Sequence, residues 1–265
     1  MSDRVQVTIT DGVADVRLSR PEKLNALDPA MFAGLVDTGR GLATDPSLRA
    51  VVLSGEGRGF CAGLDFASFM RLGDDGGRLL ARRENGSAVN HAQRAAWVWS
   101  EVPVPVIAAV HGVAYGGGLQ IALAADIRLL APDARLSVME IRWGLIPDMT
   151  GTQTLRHLVR LDVAKELTFT GRVVSGREAV ALGLGTRVEE NPREAALAMA
   201  RDIASRSPNA IRAAKRLLNA TVFGSRDDGF RLEEQTQREL FGSPNQLEAV
   251  QANFEKRAPR FGDPA

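Results

Sequence analysis

The chain is short of the residues that staple or metallate a protein. One cysteine, Cys61, among 265 residues rules out an intramolecular disulfide and an all-cysteine zinc site. Three histidines, at 91, 111 and 157, show no ligand spacing, so no metal site is expected. Neither sign of charge is in excess: 33 Lys and Arg against 32 Asp and Glu leave a net +1. A dedicated nucleic-acid binder would carry a basic surplus, and no basic run here has aromatics interleaved. No stretch reaches the roughly 18 uninterrupted apolar residues of a spanning helix, so no membrane partner is expected. The opening MSDRVQVTITDG alternates polar and apolar and lacks the basic-then-apolar order of a signal peptide. A cytoplasmic location is the expectation. There is no low-complexity tract and no repeat.

What is present is an ordinary core-forming composition, 45% hydrophobic, in a length suited to one large domain or a domain with an appendage. Val5–Ile9 and Val13–Leu18 alternate like strands around the hairpin signal Asp11-Gly12. Asp28-Pro29 is an N-cap followed by proline at the first helical position, opening a helix to about Ala43. Strands are expected at Val51–Ser54, Val104–Val110, Asp126–Leu130 and Leu136–Val138, and helices over 79–100 and Leu119–Ala125. Strands alternating with helices predict an α/β core with covered sheets. From Asn191-Pro192 onward the pattern is helical, through Ser207–Ala220, Asp228–Phe241 and Ser243–Lys256. The expected division is residues 1–191 as core and 192–265 as a helical region for packing and oligomerisation.

Two segments, Phe60–Phe66 and His111–Gln120, offer backbone N–H groups to a ligand. Each follows an expected strand and precedes an expected helix. Consecutive glycines at 116–118 let main chain approach closely, and a helix start leaves N–H groups unpaired. Two such donors on one oxygen make an oxyanion hole. The triplet lacks the lysine of a phosphate loop and the spacing of a dinucleotide fingerprint. Taken alone, it also fits simple close packing of helix on strand.

Glu140 and Asp148 stand eight residues apart in MEIRWGLIPDMTGTQ, with Trp143, Leu145, Ile146 and Pro147 between them. Such an apolar stretch is expected to be buried, and buried carboxylates are unfavourable unless paired or used. Two acids in one pocket can move protons on a carbon skeleton. The structural alternative is one acid on an arginine and the other, Asp148, capping a helix that starts near Thr150.

The segments Arg20–Leu27, Phe60–Asp65, Gly112–Gln120 with Ala125-Asp126, Glu140 with Gly144–Pro147, Gly151–Gln153, Gly171–Gly185 and Phe254–Phe261, in that order, resemble the crotonase superfamily, the enoyl-CoA hydratase/isomerase family. The resemblance spans essentially the whole chain. It implies a crotonase-like spiral of ββα units with a C-terminal helical trimerisation region, assembled as trimers or hexamers. It implies an acyl-CoA thioester as substrate and an enolate held by the N–H groups of Leu64 and Gly117. CoA, carried in by the substrate rather than held as a cofactor, would lie along Lys23, Leu24, Ala26, Ala62, Asp65 and Phe66, with Lys256 or Arg257 reaching a phosphate. Phe69, Met70, Leu79 and Trp97 are candidates for the acyl pocket. Cys61 reads as a small loop residue without an activating base.

Typical hydratases of this family carry a second glutamate where this chain has Gln120. An amide cannot serve as a general base, though it can orient water. Dienoyl-CoA isomerases of the family carry a carboxylate at the position of Asp148, and dehalogenating relatives a nucleophilic aspartate. The dienoyl enzymes also have an acid at the Gln120 position, so the match is partial. The expectation is therefore a double-bond shift using Glu140 and Asp148, in fatty-acid or related acyl-CoA catabolism. The alternatives are hydration of a 2-enoyl-CoA and, more distantly, a non-catalytic acyl-CoA or RNA-binding relative.

Overall fold

Asp11 and Gly12 both take positive φ, 50° and 76°, as a two-residue hairpin turn of the twist-matched kind requires. They join β1 (Val5–Thr10) to β2 (Val13–Leu18), with Thr10 opposite Val13. The computed structural model describes residues 3–70, 87–222 and 224–264. Beside β2 run β3 (Ala50–Gly55), β4 (Val106–Val110), β6 (Ile127–Leu130) and β9 (Arg187–Val188), all parallel, giving the order β1-β2-β3-β4-β6-β9. A second sheet has the order β5-β7-β8, built from β5 (Val113–Tyr115), β7 (Arg135–Ser137) and β8 (Val174–Ser175). Every residue of β3 and β4 is buried, as parallel strands covered on both faces must be.

The larger core lies on one face, where Leu35, Leu53, Trp99 and Ile121 are fully enclosed. Val52, Ile107 and Leu129 point to the other face and meet Ala196 and Ala200 of the helix Pro192–Ala204. The small alanines let that helix lie close on the strands. So the helix that begins at the expected boundary near residue 192 itself covers a face of the six-stranded sheet. The helices that extend past it are Pro208–Thr221, Arg226–Leu240 and Pro244–Phe254. They are tied in by Lys215, whose side chain is 7% exposed. Its ammonium sits 2.6 Å from Asp126 Oδ2 and donates to the carbonyls of Trp99 and Val104. Burial pushes its pKa down, with Asp126 opposing. Breaking such a buried pair strands the remaining charge, so the anchor is hard to release.

Helices begin at Pro29, Pro192, Pro208 and Pro244; a side-chain cap accompanies the proline at Asp28, whose Oδ1 accepts from Met31 N at 2.8 Å, and at Ser207, but not at Asn191 or Ser243. The helix expected over 79–100 is described as His91–Glu101. Leu79 lies outside the described residues. Helices Leu161–Thr170 and Gly176–Leu182 and strands β5, β8 and β9 were not expected from the sequence.

Candidate active site

The segment Arg20–Leu27 is pinned from within. Asn25, fully buried at φ 56°, accepts from Arg20 N and donates to the carbonyls of Glu56 and Gly59. The pinned segment then holds the glycine loop: Ala62 N donates to Leu24 O, Leu27 N to Gly63 O and Asp65 N to Leu27 O, at 2.8–3.0 Å. On its other edge Cys61 exchanges hydrogen bonds with Val113 and Tyr115. Successive main-chain N–H groups along an extended segment point to opposite sides. With Asp65 N–H turned to Leu27, Leu64 N–H is turned away from Leu27. Gly117 opens the helix Gly117–Leu123, whose first N–H groups have no partner within the helix. Among the described residues neither N–H finds an acceptor, and both residues line one cavity of about 490 Å³. Gly63 is needed here: at φ +85° a Cβ would meet Tyr115 O at 2.6 Å and stand 3.6 Å from Gly117 N. Both residues expected as oxyanion donors thus line the same cavity.

Glu140 heads a single 3₁₀ turn, Glu140–Trp143, and lines the same cavity. It is 9% exposed, and its Oε2 is buried without a partner. Its Oε1 accepts from Gln120 Nε2 at 2.6 Å. Burial raises its pKa above the usual 4.5, Gln120 lowers it, and the charge of Asp148 raises it further. Asp148 also lines the cavity. It keeps a solvent-facing edge at the cavity mouth, yet protein atoms crowd its other sides and raise its pKa too.

Asp148 is not the helix cap. The helix Gly151–Leu158 has Thr150 as its N-cap residue with no side-chain cap. Gln120 does that work instead: its Oε1 accepts from Met149 N and Gly151 N, each at 2.8 Å. The expectation of a buried apolar stretch between the two acids also fails. Trp143, Leu145 and Ile146 are 59%, 47% and 71% exposed, because the turn carries them onto the cavity rim.

Of the residues expected along CoA, Ala62 and Phe66 line the cavity, and the Phe66 ring stacks on Trp143 at 4.4 Å. Asp65 spends its carboxylate on Ser68 and, at 2.8 Å, on Arg20, which hold its pKa down near 2. Its main chain is engaged too, the N–H with Leu27 O and the carbonyl with Ser68 N and Phe69 N, so Asp65 braces the loop. Lys23 ends a 3₁₀ turn (Pro21–Lys23) leading into Leu24, with Ala26 buried beyond, all three outside the cavity lining. Lys256 follows the last helix at φ 53°, exposed and also away from the lining. Phe69 lines the cavity, and Met70 and Trp97 do not. Sequence reasoning missed Leu27, Phe32, Met139 and Met149 as lining residues, although each sits next to a motif it singled out. Cys61 is fully buried with its thiol pushed up to about 12 by desolvation, which fits a packing role. Among the described residues no three His, Cys, Asp or Glu side chains converge as a metal site, and no helix is long and apolar enough to cross a membrane.

A family model described as enoyl-CoA hydratase/isomerase matches residues 8–264. The chain belongs to that family, within the crotonase superfamily. It is 35% identical over 261 residues to a Bacillus subtilis protein named "Probable enoyl-CoA hydratase", covering 97% of this chain and 98% of that one. It is 32% identical to the human mitochondrial methylglutaconyl-CoA hydratase, over 94% of this chain and 74% of that one. The crystal structure of an enoyl-CoA hydratase from Bacillus anthracis superposes with a TM-score of 0.90 at 31% identity, over 97% of this chain and 98% of that one. The fold is therefore the crotonase fold with its helical C-terminal region, in an enzyme family that acts on acyl-CoA.

Proposed function

We propose that this enzyme shifts a double bond along an acyl-CoA thioester. Leu64 and Gly117 N–H bind the thioester oxygen. Glu140, deprotonated, takes a proton from the carbon beside the thioester carbonyl. The electrons move onto the oxygen that the two N–H groups stabilise. Asp148, protonated, returns a proton to the carbon two bonds further along, and the conjugated 2-enoyl thioester forms. The proton balance resets through solvent at the open edge of Asp148.

The observation that carries this reading is the 2.6 Å contact between Gln120 and Glu140. It closes the space in which two groups would hold a water between them. The amide oxygen has both acceptor sites filled by Met149 N and Gly151 N, so Gln120 cannot accept a proton from water. Two carboxyls that line one cavity, each with its pKa raised by burial, supply the groups a base-and-acid pair needs. Asp148→Asn should then lower isomerisation of a 3-enoyl thioester by about a hundredfold or more, the range for general acid catalysis. Turnover near that of the parent would remove Asp148 from the mechanism.

Hydration of a 2-enoyl-CoA is the second reading, favoured by the hydratase names of the relatives. One assay separates them. Loss of the conjugated absorbance of crotonyl-CoA in water supports hydration. Conversion of a 3-enoyl thioester with solvent deuterium incorporated and no water added supports isomerisation. In either reading CoA arrives with the substrate, and no resident cofactor takes part.

We also propose a homo-oligomer, a trimer or hexamer. Leu218, Phe230, Phe241 and Phe254 are 61–85% exposed on the C-terminal helices. Four large apolar side chains left exposed along these helices support a surface that another chain covers.

A further inference from the structure

We infer that Gln120 is a positioning residue: one amide holds Glu140 ready on one side and the turn bearing Asp148 in place on the other. The inference rests on the acid–base reading above. Gln120 is buried in the helix Gly117–Leu123, and three hydrogen bonds account for its orientation. Its oxygen takes Met149 N and Gly151 N, and its nitrogen faces Glu140 Oε1. The amide cannot be turned over, because that would set two donors against the NH₂ and a carboxylate against the carbonyl.

The turn so held does not hold itself. Thr150 sits at φ 72°, a left-handed conformation unfavourable for a β-branched residue, and its hydroxyl is buried without a partner. No side chain of the turn caps the helix that follows. Fit is close on the far side as well: a Cβ on Gly151 would meet Gln120 Oε1 at 2.7 Å. On the near side the amide donates only to an oxygen with a free lone pair, so it favours the ionised form of Glu140 and leaves Oε2 as the unengaged atom. The other ionisable groups near Glu140 are Asp148 on the turn, Tyr115 on β5 and Arg142 on its own 3₁₀ turn. Asp162, Lys165 and Glu166 lie on the helix Leu161–Thr170 packed behind it. Of these, Asp148 is the one whose charge shifts Glu140.

Gln120→Glu separates the two duties. The new carboxylate can still accept from Met149 N and Gly151 N, but it sets a second acid against Glu140. The Glu140 titration is followed without substrate by carboxyl-carbon NMR on protein with ¹³C-labelled glutamate, assigned by its loss in Glu140→Gln. The melting temperature should fall at neutral pH and recover on acidification, as a second buried acid requires, and the Glu140 midpoint should rise by about one pH unit or more through coupling. The acid limb of the pH–rate profile should move with it. Gly151→Ala keeps Gln120 but crowds its oxygen, and should raise the same midpoint by a smaller amount. An unshifted Glu140 titration in Gln120→Glu overturns the inference, as does a Gly151→Ala protein with reduced turnover and an unchanged pH profile. The acid–base reading fails separately, if Glu140→Gln keeps its turnover, and the substrate-free titration still decides the role of Gln120.

Discussion

Replacing Glu140 by glutamine should lower turnover by about 10³–10⁴-fold, the upper range for loss of a general base, and at neutral pH should raise the melting temperature. The first effect follows because an amide cannot take a proton from carbon. The second follows from linkage. The folded-state pKa of Glu140 is raised, chiefly by burial, so across the interval above 4.5 the folded protein binds more protons at this site than the unfolded chain. Stability contributed by the site falls as pH rises through that interval, and the full penalty is present above it. The glutamine variant carries no such penalty and should melt a few degrees higher at neutral pH, about 2–4 °C for each kcal/mol in a chain of this size. The advantage should fade as pH falls toward the ordinary glutamate range. Calorimetry across pH reads the stability, and a stopped assay of acyl-CoA conversion reads the turnover. A variant both inactive and less stable at neutral pH would contradict the burial argument. In the parent enzyme, activity should be lost on acidification at a pH above the ordinary glutamate range.

Gly118→Ala should cost about 10²–10³-fold in turnover and lower the melting temperature. A Cβ at this position would stand 2.4 Å from Cys61 O and 2.9 Å from Cys61 C. Both are main-chain atoms that cannot swing aside. The start of the helix Gly117–Leu123 and the Cys61–Asp65 segment would have to part, and with them the N–H groups of Gly117 and Leu64. Losing one donor of an oxyanion hole costs about 2.7–4 kcal/mol of transition-state stabilisation, and overpacking about 1–3 kcal/mol of stability. Binding of a substrate analogue should weaken much less than turnover falls, because the hole matters most when charge develops on the oxygen. Parent-like turnover would show that the two segments do not form the hole.

The sequence made the main architecture legible where local chemistry is strong. Asp11-Gly12 read as a tight hairpin, and the pairs Asp28-Pro29 and Asn191-Pro192 marked helix starts that the structure keeps. The two oxyanion segments were visible as glycine loops between strand and helix. Strands β8 and β9 were not legible, because two residues carry no periodicity. The exposure of Trp143, Leu145 and Ile146 was misjudged for a related reason: apolar residues read as core whether they face the interior or a cavity rim. Gln120 was visible only as a missing acid. That its oxygen caps a helix from another part of the chain is a long-range contact, and no local pattern encodes it.

The lone thiol turns the oxyanion segment into its own clock. Cys61 donates to Asn25 O from complete burial, with its pKa up near 12, so the native thiol is neither accessible nor ionised. Alkylation therefore has to wait for the Cys61–Gly63 segment to part from Asn25, Leu27 and Val113, to which it is hydrogen-bonded. With no second cysteine in the chain, the labelling rate counts those openings without ambiguity. It should slow when an acyl-CoA analogue fills the cavity, reporting ligand stabilisation of the segment that carries the proposed donor Leu64.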